Sequence, residues 1–225
     1  MTLRAVLFDA GDTLIRLRGE PGALLRAAAE RLGTPVEPTA AAAVWRRVLA
    51  GAGAPDELAK GRDLSLPRHR AVWTELYRRS GADDLAPGLS GALYDLTVDP
   101  RSWEAFPDTV RTLRLLHERG VRVGVVSDTG FDLRPVFSSL GLSRWFDVVA
   151  LSCDTGACKP DPQVFRAACE RLGVDEAATV MVGDNPSTDG GAAAAGLLVL
   201  LLPPPPPTGP RGLGHVLSLF GEAPT

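Results

Sequence analysis

Leu3-Arg4-Ala5-Val6-Leu7-Phe8-Asp9-Ala10-Gly11-Asp12-Thr13-Leu14 is a near-continuous apolar run that ends abruptly in a carboxylate. A short run rich in aliphatic residues, without internal proline or polar alternation, has the pattern of a strand buried on both faces. Asp9 then falls at the carboxyl end of that strand, where open α/β sheets place their ligands.

Working outward, the pattern recurs at 121–126, 147–151, 179–182 and 197–202. Helical patterns at 108–119, 133–140, 162–172 and 187–195 lie between these runs. Each is followed by a glycine (Gly120, Gly141, Gly173, Gly196), the expected helix stop. Strand and helix in alternation predict an α/β fold with a parallel sheet covered on both faces. Residues 16–100 break the rhythm, with helical patterns at 21–33, 39–51, 66–81 and 87–96 and no convincing strand. The expected organisation is a core of 1–15 and 100–225 and an inserted helical module of 16–99. Such a module rises from the sheet edge that carries Asp9, where it can cover a site and exclude water.

Further polar groups stand in positions like that of Asp9. Ser127 ends VRVGVVS and is followed by Asp128, Lys159 opens KPDP, and Asp184 and Asp189 close TVMVGDNPSTD. Taken singly, each has an ordinary explanation: a turn, a helix cap, a solvated lysine. Their repetition at strand ends and helix starts is what points to an active site. His69, His117 and His215 are far apart on expected helices and read as surface or core residues rather than metal ligands. Trp45, Trp73 and Tyr77 read as packing in the helical module, with a role beside Arg16, Arg18 or Arg70 in a substrate pocket as the alternative. Pro203 to Pro207 form a stiff extended loop, and a last helix is expected over 212–220.

At 225 residues, 45% hydrophobic and 23% charged, the chain can bury a sizeable core. A net charge of −3 gives no global attraction to nucleic acid or an anionic membrane, while leaving room for a small anionic substrate. Three cysteines without framework spacing suit a reducing compartment. The first apolar run is too short for a signal peptide, and no run reaches the length of a membrane span, so the expected location is the cytoplasm. No heptads fix an oligomeric state.

The order Asp9 with Thr13, Ser127, Lys159, then Gly183-Asp184 to Asp189 resembles the four motifs of the haloacid dehalogenase superfamily, and the likeness spans the whole chain. The resemblance implies a Rossmann-like parallel sheet core with an α-helical cap inserted after the first strand. It also implies Mg²⁺ as cofactor, a small phosphorylated substrate, and an aspartyl-phosphate intermediate. The residue chemistry agrees. A carboxylate such as Asp9 can attack phosphorus and split one difficult displacement into two easier steps. Hard oxygen donors from Asp9, Asp184 and the Gly11 carbonyl suit Mg²⁺. Lys159 and the Ser127 hydroxyl, with backbone N–H groups near Ala10 and Asp128, would hold the phosphoryl oxygens. Thr13 and Asp189 support them, Asp189 either orienting Lys159 or holding water on the metal.

Gly11 departs from the pattern. Family phosphatases usually carry a second Asp two residues after the nucleophile, which protonates the leaving alkoxide and later activates water. Asp12 falls one position too late to align with it. The departure leaves two alternatives beside the phosphatase: a metal-independent dehalogenase using Asp9 on carbon, and a binding protein that has lost turnover.

Overall fold

β1 (Ala5–Phe8) is buried along its whole length, and the computed structural model, which describes residues 2–221, explains why. It is the middle strand of a five-stranded sheet. In chain order the strands are β1, β2 (Ile15–Leu17), β3 (Trp103–Ala105), β4 (Arg122–Ser127), β5 (Val148–Leu151), β6 (Thr179–Gly183) and β7 (Leu198–Leu201). The large sheet runs β5-β4-β1-β6-β7 and every pair in it is parallel. Strand side chains alternate between faces. Val6 and Phe8 accordingly enter one core layer, while Ala5 and Leu7 enter the other.

Between β2 and β3 the chain forms α1 (Ala23–Arg31), α2 (Pro38–Ala52), α3 (Pro55–Leu58), α4 (Leu66–Arg79), α5 (Ala82–Leu85) and α6 (Leu89–Thr97). The helical runs expected at 21–33, 39–51, 66–81 and 87–96 are thus α1, α2, α4 and α6. They bury an apolar cluster of their own, including Leu25, Val44, Val48, Leu76, Leu89 and Leu93.

At the two ends of the insert lies what the sequence did not suggest. β2 and β3 pair antiparallel, Ile15 opposite Ala105 and Leu17 opposite Trp103, forming a two-stranded ribbon where the helices leave and rejoin the sheet. Arg16 Nε donates to Glu104 Oε1 across it at 2.9 Å. Arg16 also reaches the Pro-rich loop, donating from Nη1 to the carbonyls of Pro206 and Pro207 at 3.2 and 3.0 Å. Proline carbonyls remain good acceptors even though the ring removes the amide donor.

On the faces of the large sheet lie α7 (Thr109–Glu118), α8 (Arg134–Ser139), a short α9 (Ser152–Thr155) and α10 (Pro162–Leu172). Leu113 and Leu116 of α7 and Phe137 of α8 cover one face, and Phe165, Ala168 and Leu172 of α10 the other. α10 closes on Gly173 at φ 67°, as its sequence predicted. Two segments expected as α-helices are wound as 3₁₀ instead: Asp189–Ala195 and Leu213–Leu219. In the first, Asp189 turns its carboxylate back onto the amides of Asp184 and Asn185, and Gly190 and Gly191 add little helical preference. Among the described residues, no helix is long and apolar enough to cross a membrane.

Leu113 is fully buried in the layer beneath β1. Leu113→Ala should lower the unfolding free energy by about 2–5 kcal/mol, read from urea denaturation monitored by circular dichroism.

Candidate active site

Sheet register brings the site together. Phe8 of β1 lies opposite Val125 of β4 and Val182 of β6, so the residues just past those strands share one edge. The backbone N–H of Asp9 continues the ladder by donating to the Val182 carbonyl at 2.9 Å. Ser127 ends β4, and Asp184 follows β6 directly.

Lys159 is almost fully buried, and its ammonium sits between two carboxylates. Nζ lies 2.6 Å from Asp9 Oδ1 and 2.7 Å from Asp189 Oδ1. The second Asp189 oxygen accepts the amides of Asp184 and Asn185 at 3.0 and 2.9 Å. Asp189 therefore orients both Lys159 and the turn that presents Asp184. Gly183 is required there, because a Cβ at that position would lie 2.1 Å from Asp189 Oδ2. Asp128 Oδ1 accepts the backbone N–H of Lys159 at 3.0 Å and fixes the start of the lysine loop. Thr13 Oγ1 donates to Asp184 Oδ1 at 3.4 Å. The Ser127 side chain is buried.

Charge is unbalanced in this cluster. Oxygens of Asp9, Asp184 and Asp189 all lie within 4.8 Å of one another, and Lys159 is the ammonium among them. Three carboxyl groups thus face one ammonium. Burial pushes the Asp9 carboxyl well above its usual range against the pull of Lys159, and Asp189 and Asp184 add to the rise. Burial, then Asp189, raises Asp184 as well. For Lys159, burial works against the charged form, yet Asp9, Asp189 and Asp128 hold the ammonium above its ordinary value. An excess of hard oxygen donors over cationic charge is what a divalent cation such as Mg²⁺ requires, so the residues fit one.

Several residues outside the expected set also meet here. Arg211 is buried, and its Nε donates to the Asp12 carbonyl at 2.5 Å. Asp12 holds the left-handed backbone at φ 54°, and its N–H donates to the Ile15 carbonyl at 2.8 Å. Asp63, on the turn Arg62–Leu64 of the helical module, accepts Ser152 Oγ at its backbone carbonyl at 2.6 Å, and Ser152 Oγ in turn accepts the N–H of Thr129. No motif marked Arg211 or Asp63, since one follows a proline-rich tail and the other sits between helices. Beside Gly11 and Asp12 opens a cleft of about 860 Å³, lined also by Arg16, Arg18, Trp45 and Trp103. Trp45 thus does reach a pocket with Arg16 and Arg18. Trp73 and Tyr77 instead pack against each other within the module, their rings 5.6 Å apart and tilted by 41°, and Arg70 pairs with Asp95 on its surface.

The model of the haloacid dehalogenase-like hydrolase family matches residues 3–196. The chain belongs to that family. Among the haloacid dehalogenase-like hydrolases it is 31% identical, over 81% of its length and 77% of the relative's, to the haloacid dehalogenase-like hydrolase domain-containing protein 3 of Danio rerio. It is also 31% identical to the glyceraldehyde 3-phosphate phosphatase of Methanopyrus kandleri, covering 83% and 78% of the two chains. A solved haloacid dehalogenase family phosphatase from Thermococcus onnurineus superposes with a TM-score of 0.63 at 25% identity, covering 99% of this chain and 100% of that one. Solved dehalogenases share the fold.

In this haloacid dehalogenase-like hydrolase, Lys159→Met would leave Asp9 and Asp189 buried without their cation. Measured in chelator at neutral pH, the variant should lose about 3–5 kcal/mol of stability. A buried carboxyl whose folded pKa is raised stabilises most when protonated, and that stability is lost as pH rises through the folded value. The deficit of the variant relative to wild type should therefore shrink as the pH of the urea titrations is lowered.

Proposed function

We propose that this chain is a Mg²⁺-dependent phosphohydrolase of small phosphate esters that works through an aspartyl phosphate on Asp9, with residues 16–99 acting as its cap. The observation that carries the proposal is the buried Lys159 ammonium held at 2.6 Å from Asp9, inside a cluster with the carboxyl groups of Asp184 and Asp189.

In this scheme an Asp9 oxygen attacks phosphorus and the ester oxygen departs, leaving an acyl phosphate that water then opens. Lys159 neutralises charge on Asp9 and on a phosphoryl oxygen at once, which lets two anions approach. Ser127 donates its hydroxyl to a second phosphoryl oxygen, and backbone N–H groups near Asp128 complete the cradle. Asp189 keeps Lys159 aimed, and Thr13 keeps Asp184 aimed. Mg²⁺, which Asp9, Asp184 and the Gly11 carbonyl would hold, supplies further charge neutralisation at the phosphoryl group when bound. The phosphatase named among the relatives supports the same reaction class. Attack on carbon without a metal would leave the Asp184 carboxylate no charge to balance, which disfavours a dehalogenase.

Purified protein with Mg²⁺ should release nitrophenolate from p-nitrophenyl phosphate. Asp9→Asn should abolish that release, and chelation should remove it reversibly. A folded wild-type protein that binds Mg²⁺ yet shows no turnover of any phosphate ester would refute the proposal. Halide release from a 2-haloacid in excess chelator would replace it with the dehalogenase reading.

A further inference from the structure

Asp12 is, among the described residues, the one non-glycine whose backbone is left-handed, at φ 54°. Aspartate tolerates that region better than most side chains do, yet its Cβ still crowds the following carbonyl there. A residue keeps such a conformation when its surroundings over-determine it. Here the two grips come from different parts of the chain. The Asp12 N–H donates to the Ile15 carbonyl at 2.8 Å, within the same loop. The Asp12 carbonyl accepts Arg211 Nε at 2.5 Å, from 199 positions further along.

We propose that Arg211 is a positioning residue for the metal site: by clamping the Asp12 carbonyl it keeps Asp12 left-handed, and so holds in place the Gly11 carbonyl assigned above to Mg²⁺. The proposal rests on the phosphohydrolase reading for that ligand, and on the hydrogen bond to Asp12 for the clamp.

Arg211 is itself held at both ends. Its backbone N–H donates to Asp108 Oδ1 at 2.8 Å, and the N–H groups of Gly212 and Leu213 both donate to Asp108 Oδ2 at 2.9 Å. Its guanidinium carbon lies 5.9 Å from the centre of the Phe106 ring, and the Phe106 N–H donates to the Leu14 carbonyl at 3.2 Å. The residue is only 2% exposed. Nη1 and Nη2 are buried without a hydrogen-bond partner, so among the described residues the guanidinium's one hydrogen bond is the contact to Asp12. A cation buried with donors unpaired is costly, and the bond it does make goes to the strained residue.

A trans peptide group is planar, so the Asp12 N–H and the Gly11 carbonyl turn together. Release of the Asp12 carbonyl lets φ return to the ordinary negative range. That rotation swings the Gly11–Asp12 plane, breaks the bond to Ile15 and turns the Gly11 carbonyl away from its present direction. Thr13, the next residue, holds Asp184 through its hydroxyl, so a second expected ligand loosens with the first. Charge alone acts in the opposite sense. Burial works against the Arg211 charge, while Asp184, then Asp12 and Asp108, support it. Loss of a cation that Asp184 attracts would by itself strengthen Mg²⁺ binding. The sign of the change therefore separates positioning from electrostatics.

The test uses the full chain carrying Arg211→Met. In chelator, the Asp12 amide should lose its protection against exchange with deuterated solvent, while the Asp9 amide, bonded to the Val182 carbonyl, keeps its own. Calorimetric titration should show Mg²⁺ binding weakened by about 10–100-fold. Glycine accepts a positive φ without strain, so Asp12→Gly added to Arg211→Met should recover most of the lost affinity. An arginine that merely stabilises the fold would lower protection throughout the sheet and gain nothing from the glycine. Unchanged exchange at Asp12, tighter Mg²⁺ binding, or no recovery with Asp12→Gly overturns the proposal. If Arg211→Met does not fold, the Arg211 Nε–H signal in wild-type NMR spectra is read instead: it should exchange slowly with water, and fast exchange overturns the clamp. Wild type that binds no Mg²⁺ removes the phosphohydrolase reading and this role together, whereas wild type that binds Mg²⁺ while any overturning result is obtained loses the Arg211 role alone.

Discussion

A buried ammonium persists only where carboxylates surround it, and the rest of this site follows from that constraint on Lys159. Its partners come from distant parts of the chain: Asp9 from the end of β1, Asp189 from the turn after β6. Keeping them within hydrogen-bonding distance requires β1 and β6 to be adjacent and in register, which their parallel pairing provides. It also explains local oddities. Gly183 must lack a side chain so that Asp189 can approach, and the segment after Asp189 winds as 3₁₀ because its first side chain is committed to backbone amides. Structure and charge balance are the same problem here, since packing that holds the lysine also concentrates the carboxylates a cation would satisfy.

The helical module contributes more than cover. Its apolar cluster is distinct from the two that flank the sheet, with Val98 packed against both it and the core and His69 against Phe131. The Arg62–Leu64 turn and His69 meet the 127–130 loop, and the β2–β3 ribbon carries the two chain crossings.

How much of this could be read from the sequence differed by element, for physical reasons. The five long-sheet strands were legible because each is a compact apolar run bounded by turn residues. Asp9, Ser127, Lys159, Asp184 and Asp189 stood out because each adjoins such a run or opens a helix. β2 and β3 were not legible: each has three residues, and Arg16 finds Glu104 from 88 positions away. The Asp189–Ala195 segment carried an alanine-rich helical pattern, but the side-chain hydrogen bonds that override propensity are invisible until Asp189 is placed. Asp63 had no signal at all. Its position against Ser152 arises from docking of the module, which a local pattern does not encode. Which residues line the cleft with Trp45 was equally a product of assembly.

The chain beyond β7 returns to the edge of the sheet that carries Asp9. Beyond β7, the carbonyls of Pro206 and Pro207 receive Arg16, and Arg211 grips the carbonyl of Asp12, while the amides at 211–213 settle on the Asp108 carboxylate. A stretch that comes after every strand is therefore a buttress for the loop that follows Asp9. Loss of the 206–213 segment would be felt at the loop after Asp9, because these late residues hold the setting of much earlier ones.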